Sequence, residues 1–543
     1  SDGFTLGETG GTNNNGDSYV SWSFRKAEKF FDVVTWTGDG VAGRTVAHTL
    51  GSVPGMMIVK AVSGTYSGSA WTIYHKDLTA TDILEFDTGA TKTRLYAWND
   101  TTPTDSVFTV GSGSETNGGS TDYVVYLFAS DAGGFGDDGT ENIIKCGSLT
   151  TDGSGLGTID LGFEPQYMLM KRADVIQNWY IWDTMRGWTV SGETNGLVPN
   201  DSSAEVNYSG GTDYFHPTAT GVDFVSNFFG ANANLIYMAI RRGPMKTPES
   251  GTEVFSPVAT TSATDTKITT GFPVDWQILK DSRPGTNGPY VITRLTGVST
   301  VPTDGRTGYL RTTSTAAEVA GNLTRGWDNT GYKLATAFGG NDSIYWNFQR
   351  APGFMDVVAY TGDGVAGRAV VHNLEAVPEL MIVKSRSGAY SWQIYTASRG
   401  ATEVMTFTSD PSSASSFPWN NTAPTSSAFV VGGTNSTNST LSGVTYIAYL
   451  FATLAGVSKV GSYTGTAADL NVDCGFTAGA RFILIKRTDS SGDWYTYDSA
   501  RGISAGNDPY LLLNSSAAEV TGTDYIDPLN AGFTVTSSAP AGL

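Results

Sequence analysis

The sequence has few of the residues on which metal sites, disulfide frameworks and membrane spans depend. Of its 543 residues, two are cysteine, Cys146 and Cys474, and four are histidine. Two cysteines at unmatched places exclude a disulfide framework, and thiolate metal sites need clusters of cysteine. A membrane-spanning helix needs about 20 consecutive apolar residues, and no apolar run here approaches that length. We therefore expect no cofactor and no insertion into a membrane.

Basic residues are also in the minority. The 33 Lys and Arg stand against 52 Asp and Glu, which gives a formal net charge of −19 at pH 7. A surface of this sign repels phosphate backbones, so nucleic acid is not an expected partner. The chain begins at Ser1 without a charged and apolar leader, which we interpret as a processed product or a piece of a longer protein.

The dominant feature of the sequence is a repeat. It contains 66 Gly, 25 Tyr, 25 Phe and 13 Trp, in runs typical of short strands joined by tight turns. We predict an all-β fold: a tandem array of about five antiparallel β-sandwich modules of jelly-roll or concanavalin-like type, each of about 100 residues. Each module has an aliphatic run that ends in lysine: MMIVK at 56–60, MLMK at 168–171, WQILK at 276–280, LMIVK at 380–384 and FILIK at 482–486.

Short links that contain Gly or Pro mark the predicted domain boundaries. Residues 1–27 are expected to be the closing strands of a preceding module, and the last module is expected to lack its own. The links are too short for independently tumbling domains, so adjacent modules should touch in a semi-rigid rod or arc. The five predicted β-sandwich modules are module 1 (28–138), module 2 (139–248), module 3 (249–351), module 4 (352–455) and module 5 (456–543).

A longer period lies within the repeat. Residues 37–60 and 361–384 agree at 17 of 24 positions with a constant offset of 324. The same offset pairs Trp22 with Trp346 and Phe30 with Phe354. Module 2 matches module 5 better than it matches its neighbours. We infer that the unit of duplication is a triplet of modules.

An aromatic strand follows each lysine-terminated strand across a polar loop, which predicts a β-hairpin. Side chains alternate along a strand, so one face should meet the module's own core and the other a neighbouring module. Module 3 departs most from this pattern, with Gly285-Thr-Asn-Gly-Pro in its loop and no Trp at the hairpin. The aromatic strands are WTIYH at 71–75, NWYIWD at 178–183, PYVITR at 289–294, SWQIYT at 391–396 and DWYTYD at 493–498.

The recurring lysine and the tryptophan that follows it form the candidate ligand-binding pairs. Aromatic faces stack on sugar rings and lysine donates hydrogen bonds, so each pair is a candidate shelf for a glycan, and repetition would add weak contacts together. The competing interpretation, which we favour, is a lysine that extends to solvent and a core tryptophan. The candidates are Lys60, Trp71, Lys171, Trp179, Lys384, Trp392, Lys486 and Trp494.

No set of residues predicts catalysis. His48 and His372 occupy equivalent positions in modules 1 and 4, and we interpret them as structural or solvent-facing, because the sequence places no acid or nucleophile beside them. The segment TGDGVAG at 37–43 lacks the Gly-Lys-Ser/Thr ending of a phosphate loop, so we predict a hairpin turn. Loops such as GFGDDGTE at 134–141 leave a structural calcium ion open, although regular Asp-x-Asp-x-Asp spacing is missing.

The motifs also carry a family resemblance. The motifs that carry the resemblance are VPGMMIVK (53–60), WNDTTPTDSVFTVG (98–111), WNNTAPTSSAFVVG (419–432) and IKRTDSSGDWYTYD (485–498). In these motifs the chain resembles the repeated β-sandwich modules of virion structural proteins in tailed phages, of the marine and cyanobacterial phage type. The resemblance covers nearly the whole chain. It implies a place in the virion and supplies no catalytic residues. Module 5 departs from the pattern at Ala480, where its siblings have a Pro-marked turn.

The repeat and the resemblance together predict a non-enzymatic virion structural protein, foremost a tail fibre or appendage at the extracellular virion surface that contacts the host. The expected partners are other virion proteins, copies of the chain itself and a host-surface glycan. One alternative is a filament or capsid-decorating scaffold, in which residues 1–27 of one subunit complete residues 456–543 of the next by strand exchange. Another alternative is a polysaccharide depolymerase.

Overall fold

The fold was obtained as a computed structural model, which describes residues 3–7, 11–15, 19–190, 194–208, 214–261, 264–283, 288–297, 307–321, 323–335, 342–441 and 443–543. The described residues form forty β-strands and two single-turn 3₁₀ helices, Gly251–Glu253 and Arg294–Thr296. The strands form many antiparallel sheets, so the predicted all-β fold of antiparallel β-sandwich modules is confirmed. Among these residues, none of the helices is long and apolar enough to cross a bilayer. The tip of the module 3 loop, 284–287, lies outside the described residues.

The chain divides into two compact units. One consists of residues 1–85 and 92–132, and the other of residues 86–91 and 133–543. The first unit therefore holds most of module 1. The second holds modules 2 to 5 together with the short segment 86–91.

Module 1 is a two-layer sandwich. Its main sheet has the order β1-β8-β3-β4-β5-β6, and its second sheet pairs β2 with β7. In β8, Tyr123, Val125 and Leu127 are fully buried in the core while their neighbours alternate toward the other face. The strands are β1 (Phe31–Thr37), β2 (Arg44–Ala47), β3 (Met56–Gly64), β4 (Thr72–His75), β5 (Asp82–Glu85), β6 (Lys92–Thr93), β7 (Val107–Val110) and β8 (Thr121–Phe128).

Module 2 repeats this plan. Its main sheet has the order β12-β11-β17-β9, facing a sheet β10-β16-β15, with a small ladder of β13 and β14. The strands are β9 (Ile144–Thr150), β10 (Gly157–Asp160), β11 (Pro165–Arg172), β12 (Trp179–Asp183), β13 (Asn195–Gly196), β14 (Val206–Asn207), β15 (Phe215–Thr218), β16 (Gly221–Phe224) and β17 (Asn234–Arg241).

Module 3 has the most extended main sheet of the second unit, with the order β18-β26-β20-β21-β22-β23, and a second sheet β19-β25-β24. The strands are β18 (Phe255–Thr260), β19 (Lys267–Thr269), β20 (Trp276–Asp281), β21 (Tyr290–Thr293), β22 (Thr307–Arg311), β23 (Val319–Gly321), β24 (Thr324–Asp328), β25 (Gly331–Leu334) and β26 (Ser343–Phe348).

Module 4 has a main sheet β27-β34-β29-β30, a second sheet β28-β33 and a small ladder β31-β32. The strands are β27 (Met355–Thr361), β28 (Arg368–Val371), β29 (Leu380–Ser385), β30 (Gln393–Thr396), β31 (Glu403–Val404), β32 (Ser413–Ala414), β33 (Ala428–Val431) and β34 (Thr445–Phe451).

Module 5 consists of two three-stranded sheets, β36-β37-β38 and β35-β40-β39. In modules 1 to 4 the lysine-terminated strand lies between its hairpin partner and the closing strand, whereas β36 pairs with β37 alone. The strands are β35 (Leu470–Asp473), β36 (Phe482–Lys486), β37 (Trp494–Asp498), β38 (Leu511–Leu512), β39 (Ile526–Leu529) and β40 (Gly532–Val535).

The predicted hairpins between lysine-terminated and aromatic strands are confirmed in all five modules. The pairs β3–β4, β11–β12, β20–β21, β29–β30 and β36–β37 are antiparallel neighbours. Residues 3–7, 11–15 and 19–26 contain no strand, and Ala27 forms only an isolated bridge with Phe31. The closing-strand assignment of residues 1–27 therefore stays a prediction.

The predicted hairpin turn at TGDGVAG is wrong. The loop joins β1 to β2, which lie in different sheets because β1 pairs with β8 and β2 with β7. The buried amide of Asn117 holds the loop, since its Nδ2 donates to Asp39 Oδ1 at 2.9 Å and to the Val41 carbonyl at 3.0 Å. Asn438 makes the same two bonds with Asp363 and Val365 in module 4.

Modules 3, 4 and 5 share a hydrophobic core in addition to their own. Each module has an internal core, for example the one around Tyr332 in module 3 and the one around Tyr446 in module 4. The outer faces of their lysine sheets pack into one further cluster, which includes Ile278, Ile382 and Leu484. The expectation that one face meets a neighbouring module is thus confirmed here. Modules 3 and 5 also contact each other, which the predicted linear rod or arc did not include.

Candidate functional site

Lys384 is the residue before the last in β29 of module 4, and its side chain is fully buried. Its Nζ donates to three carbonyl oxygens: Ser385 at 2.8 Å, Gly388 at 3.3 Å and Thr315 of module 3 at 3.1 Å. Three backbone acceptors satisfy the three N–H groups of an ammonium ion. The lysine therefore caps two loops, one of them in the neighbouring module.

Lys486 has the same role at the junction of modules 5 and 4. Its Nζ donates to the Gly492 carbonyl in its own hairpin at 2.6 Å and to the Ser409 carbonyl of module 4 at 3.0 Å. The backbone adds a further bond, from the Gly492 N–H to the same Ser409 oxygen at 2.9 Å.

Lys280 of module 3 completes the set, although it was not among the candidate pairs because its hairpin lacks Trp. Its Nζ donates to the Ser515 carbonyl of module 5 at 2.7 Å. The Glu519 N–H of module 5 in turn donates to the Ser282 carbonyl at 2.8 Å. Module 4 thus binds module 3, module 5 binds module 4, and module 3 binds module 5. We call this closed set of contacts the ring of modules 3–5.

The tryptophans of the candidate pairs lie inside the same junctions. Trp392 donates from Nε1 to the Arg311 carbonyl of module 3 at 3.0 Å, and Trp494 donates to the Thr406 carbonyl of module 4 at 3.0 Å. The ring of Trp494 also packs on Phe407 of module 4, with centroids 5.0 Å apart. Trp494 therefore packs its ring against module 4, whereas Trp392 packs on Tyr449 of its own module and reaches module 3 through its N–H.

Lys171 and Trp179 of module 2 are similarly enclosed. Lys171 Nζ donates to the Gln177 carbonyl at 2.5 Å and lies 5.8 Å from the Trp179 ring centroid. The segment 86–91 packs on this pair, with the Phe86 ring 4.9 Å from that of Trp179.

Lys60 and Trp71 of module 1 are the accessible members of the set. Lys60 Nζ bonds to the Ser69 carbonyl and lies 5.8 Å from the Trp71 ring centroid. Trp71 is 37% exposed, whereas Trp392 is 3% exposed. A sugar could approach the module 1 pair, but the tryptophan faces of modules 2, 4 and 5 are covered. The structural interpretation of those three pairs fits this packing, although the lysines are capped and do not extend into solvent.

Burial changes the acidity of the capped lysines. It lowers the pKa of Lys171, Lys280 and Lys384 to about 8 each, against the ordinary value of 10.5. It also lowers the pKa of Lys486, where Asp493 and Asp410 act in the opposite sense. Low dielectric disfavours the charged form, which is the cause of all four shifts.

A buried cluster of charges joins modules 2, 3 and 4, and sequence reasoning missed it. Arg350 donates from two nitrogens to the two carboxylate oxygens of Glu164, each at 2.9 Å. Arg294 is paired with Asp275 at 2.5 Å, and Arg242 lies 3.6 Å from Asp356. Three arginines and three carboxylates thus balance, as buried charges must. Arg242 and Arg350 lie in the short links that end modules 2 and 3, whereas Arg294 begins the 3₁₀ turn after β21. The charge of the two links was the available signal.

The carboxylates of this cluster respond differently to it. Burial alone would raise the pKa of Asp275, but Arg294, Arg350 and Arg242 bring it below the ordinary value. Burial raises the pKa of Asp356, and Arg242 and Arg350 only partly oppose it. Asp275 is therefore the firmly ionised partner at the centre of the cluster.

A second carboxylate pair lies at the edge of this cluster. Arg241 binds Glu141 at 2.6 Å and Glu375 of module 4 at 3.5 Å. Burial and the adjacent Glu141 raise the pKa of Glu375 to about 7. One arginine therefore serves two glutamates, which favours retention of a proton on Glu375.

The two equivalent histidines are buried and bound to backbone. Nε2 of His48 lies 3.2 Å from the Thr104 carbonyl oxygen, and its Nδ1 accepts from the Leu50 N–H at 3.3 Å. His372 repeats these contacts with Thr425 and Leu374 at the same distances. Burial lowers the pKa of both imidazoles. These contacts support the structural interpretation and not the solvent-facing one.

The loop considered for calcium is held by hydrogen bonds of its own. Asp137 accepts from the Thr247 N–H at 3.0 Å, and Asp138 accepts from the Thr140 N–H at 2.9 Å. Within the part of the chain that the structure describes, no three His, Cys, Asp or Glu side chains are grouped to hold a metal ion. Neither Cys146 nor Cys474 forms a disulfide bond.

The fold and the junctions define a tandem β-sandwich protein whose repeated polar residues join modules to one another. The chain belongs to the family described as a domain of unknown function, DUF7483, whose model matches residues 1–244 and again residues 326–542. The two matches begin about one triplet apart, in keeping with the inferred unit of duplication. No curated protein matches the sequence.

Proposed function

We propose that this chain is a non-enzymatic structural protein of a tailed-phage virion, part of a tail fibre or other appendage at the extracellular virion surface. The observation that carries the proposal is the ring of modules 3–5, in which Lys280, Lys384 and Lys486 each bond to the next module. The phage assignment itself rests on the sequence resemblance.

The chemistry of the junctions supports a scaffold more than a catalyst. The strongly shifted lysines donate to backbone carbonyls, and the buried arginines are paired with carboxylates. The histidines bond to backbone atoms as well. Structural networks of paired groups shift pKa values as catalytic sites do. The shifts seen here are therefore explained by the pairing and do not require a catalytic role.

The expected partners of such a scaffold are other virion proteins, further copies of the chain and a host-surface glycan. Trp71 with Lys60 is the candidate pair that a glycan could reach, since Trp71 is exposed. Aromatic stacking with a lysine donor alongside is the chemistry that such a contact would use.

Antibodies raised against the chain test the proposal directly. We expect them to decorate an appendage of purified phage particles that carry the gene, and we expect peptides of the chain in digests of those particles. Absence of both the label and the peptides would refute a virion role. Binding of the fluorescently labelled chain to host cells, compared with a Trp71→Ala variant, tests host contact separately.

A further inference from the structure

Module 1 presents an apolar sheet face that its counterpart in module 4 buries. Val33 and Trp71 are each 37% exposed on this face, and Val124 and Tyr126 beside them are half-buried. We call these four residues the module 1 face. The repeat aligns module 1 with module 4 and pairs Val33 with Val357. In the same alignment the counterparts of Trp71, Val124 and Tyr126 are Trp392, Ile447 and Tyr449.

The corresponding face of module 4 lies at the centre of the ring of modules 3–5. Val357 is 2% exposed there, and Ile447 and Tyr449 are fully buried. Trp276 of module 3 stacks on Tyr449, with ring centroids 4.8 Å apart and an interplanar angle of 26°. In the ring of modules 3–5, module 3 therefore covers this face of module 4.

The module 1 face already has the geometry of the covered one. Trp71 and Tyr126 are stacked at 6.2 Å and 24°, and Trp392 and Tyr449 at 6.4 Å and 25°. Phe24 meets Phe128 edge-on at 5.7 Å, as Phe348 of module 3 meets Phe451 at 6.1 Å. The surface is thus organised before any partner binds, which lowers the entropic cost of docking.

Charge at the rim of the face adds specificity. Lys26 lies 2.6 Å from the buried Asp32 and keeps 57% of its side chain exposed. Its counterpart Arg350 is bound by Asp275, the residue before Trp276, through a backbone bond of 2.8 Å and an ion pair of 3.4 Å. An Asp-Trp strand on a partner would therefore place its carboxylate near Lys26 and its indole over Tyr126.

We infer that the module 1 face is the docking surface for a β-sandwich module of the module 3 type on a separate polypeptide of this family, because Trp276 of the chain's own module 3 is already stacked on Tyr449. Its recognition element is a strand of the pattern Asp-Trp-x-Ile-x-Lys, as at residues 275–280. The inference does not depend on the proposed virion role, because it follows from the packing of the ring of modules 3–5. Docking would cover Trp71, so this contact and the glycan contact exclude each other at that residue.

One feature of the partner should differ from module 3. Arg386 of module 4 is paired with Glu318 of module 3 at 2.8 Å, whereas the exposed Val62 occupies the Arg386 position in module 1. A glutamate of the partner that faced Val62 would lose its water without gaining the arginine that Glu318 has in module 4, which is unfavourable. We expect a neutral or apolar residue at that position of the partner.

Site-specific photo-cross-linking tests the inference. The full chain is produced with benzoylphenylalanine in place of Trp71 and is added to an extract of the material in which the natural protein occurs. After irradiation, the cross-linked peptides are sequenced by mass spectrometry. We expect the Trp71 probe to join a peptide that contains an Asp-Trp-x-Ile-x-Lys strand. The same probe at Val41, an exposed position on a loop between the two sheets, should not join that peptide.

Three results would overturn the inference: a product with any module of a second copy of this chain, a product with a peptide that lacks the strand pattern, or no product at position 71. A pair of folding controls accompanies the test. Val33→Asp should leave the unfolding midpoint of the isolated chain nearly unchanged and abolish the cross-link, whereas Val357→Asp should unfold the ring. A large loss of stability in Val33→Asp would show that the face belongs to the chain's own core.

Discussion

The ammonium nitrogen of Lys280 lies 2.7 Å from the carbonyl oxygen of Ser515, a residue 235 positions further along the chain. This bond joins modules 3 and 5, which a simple string of domains would keep apart because module 4 lies between them in the sequence. It converts three β-sandwiches with cores of their own into one body with a fourth, shared core. In modules 3 to 5 the recurring lysine therefore joins one module to the next, whereas Lys60 and Lys171 bond within their own hairpins.

Removal of the lysine cap should weaken the ring. In Lys280→Ala, loss of the hydrogen bond and of the buried aliphatic stem should lower the free energy of unfolding by about 2 kcal/mol. Urea unfolding followed by tryptophan fluorescence measures the change. Lys60→Ala, which removes a half-buried lysine bonded within its own hairpin, should cost less than about 1 kcal/mol. Equal losses in the two variants would argue against a special role for Lys280.

Arg350 should be the most sensitive position of the buried charge cluster. Arg350→Met leaves Glu164 without its bidentate partner and should cost about 3–5 kcal/mol, because breaking a buried ion pair strands a charge. The matched variant Lys26→Met removes the exposed counterpart that pairs with Asp32 of module 1 and should cost about 1 kcal/mol or less. Thermal unfolding by calorimetry compares the two. A mild effect of Arg350→Met would mean that Arg242 and Arg294 neutralise the cluster by themselves.

Glu375 should make stability depend on pH near neutrality. Its pKa is raised to about 7 in the folded chain, above the ordinary value of 4.5. Between these two values the folded state holds a proton that the unfolded state has released, so stability falls as pH rises through that window. Glu375→Gln should remove this part of the pH dependence and be more stable than the parent at pH 8. Chemical denaturation at pH 4.5, 6 and 8 checks the sign, and parallel curves for the two proteins would contradict it.

The backbone at the same residue offers a second, independent test. Glu375 has a left-handed φ of 59°, and Gly51 occupies the equivalent place in module 1 with a φ of 68°. Because a side chain is disfavoured in this region, Glu375→Gly should stabilise module 4 by about 1 kcal/mol at pH 8. The unfolding midpoint at pH 4.5 should rise less, since the glutamate is then protonated. A lower midpoint at both pH values would show that the Arg241 contact outweighs the strain.

Equivalent tryptophans should differ sharply in their contribution to stability. Trp392→Ala opens a cavity in the shared core and should cost about 3–5 kcal/mol. Trp71→Ala, at the equivalent but exposed position, should cost about 1 kcal/mol. The comparison uses urea midpoints of both variants and the parent chain. Similar costs would mean that Trp71 is buried in solution.

Local features of the fold could be predicted because they are encoded at short range. The alternation in strands such as β8 and the turn residues that flank them are visible in the sequence. The hairpins, in which Lys171 lies opposite Trp179, are separated by only a few residues. The turn at TGDGVAG was predicted wrongly because a local turn signal does not say whether the next strand stays in the same sheet.

Long-range features could not be predicted in the same way. A lysine at the end of an aliphatic strand usually reaches solvent. Lys384 is instead covered by Thr315 of another module, and no local pattern indicates that this carbonyl will be present. Arg350 likewise stands in a link that composition marks as exposed, yet it pairs with Glu164 across 186 positions. The triplet period indicated a unit of three modules, but the sequence did not predict that modules 3 and 5 contact each other.

The most direct test of the ring is a distance between modules 3 and 5. Spin labels attached to cysteines at Arg283 and Ala517, two solvent-accessible positions, flank the backbone bond from Glu519 to Ser282. With Cys474 replaced by Ser, pulsed electron spin resonance should report a narrow distribution at about 10–20 Å, because neighbouring backbone segments lie only about 5 Å apart. In a linear string, module 4 would separate modules 3 and 5, and each module has a radius of gyration of about 13 Å. A broad distribution centred at about 40 Å or more would therefore contradict the account.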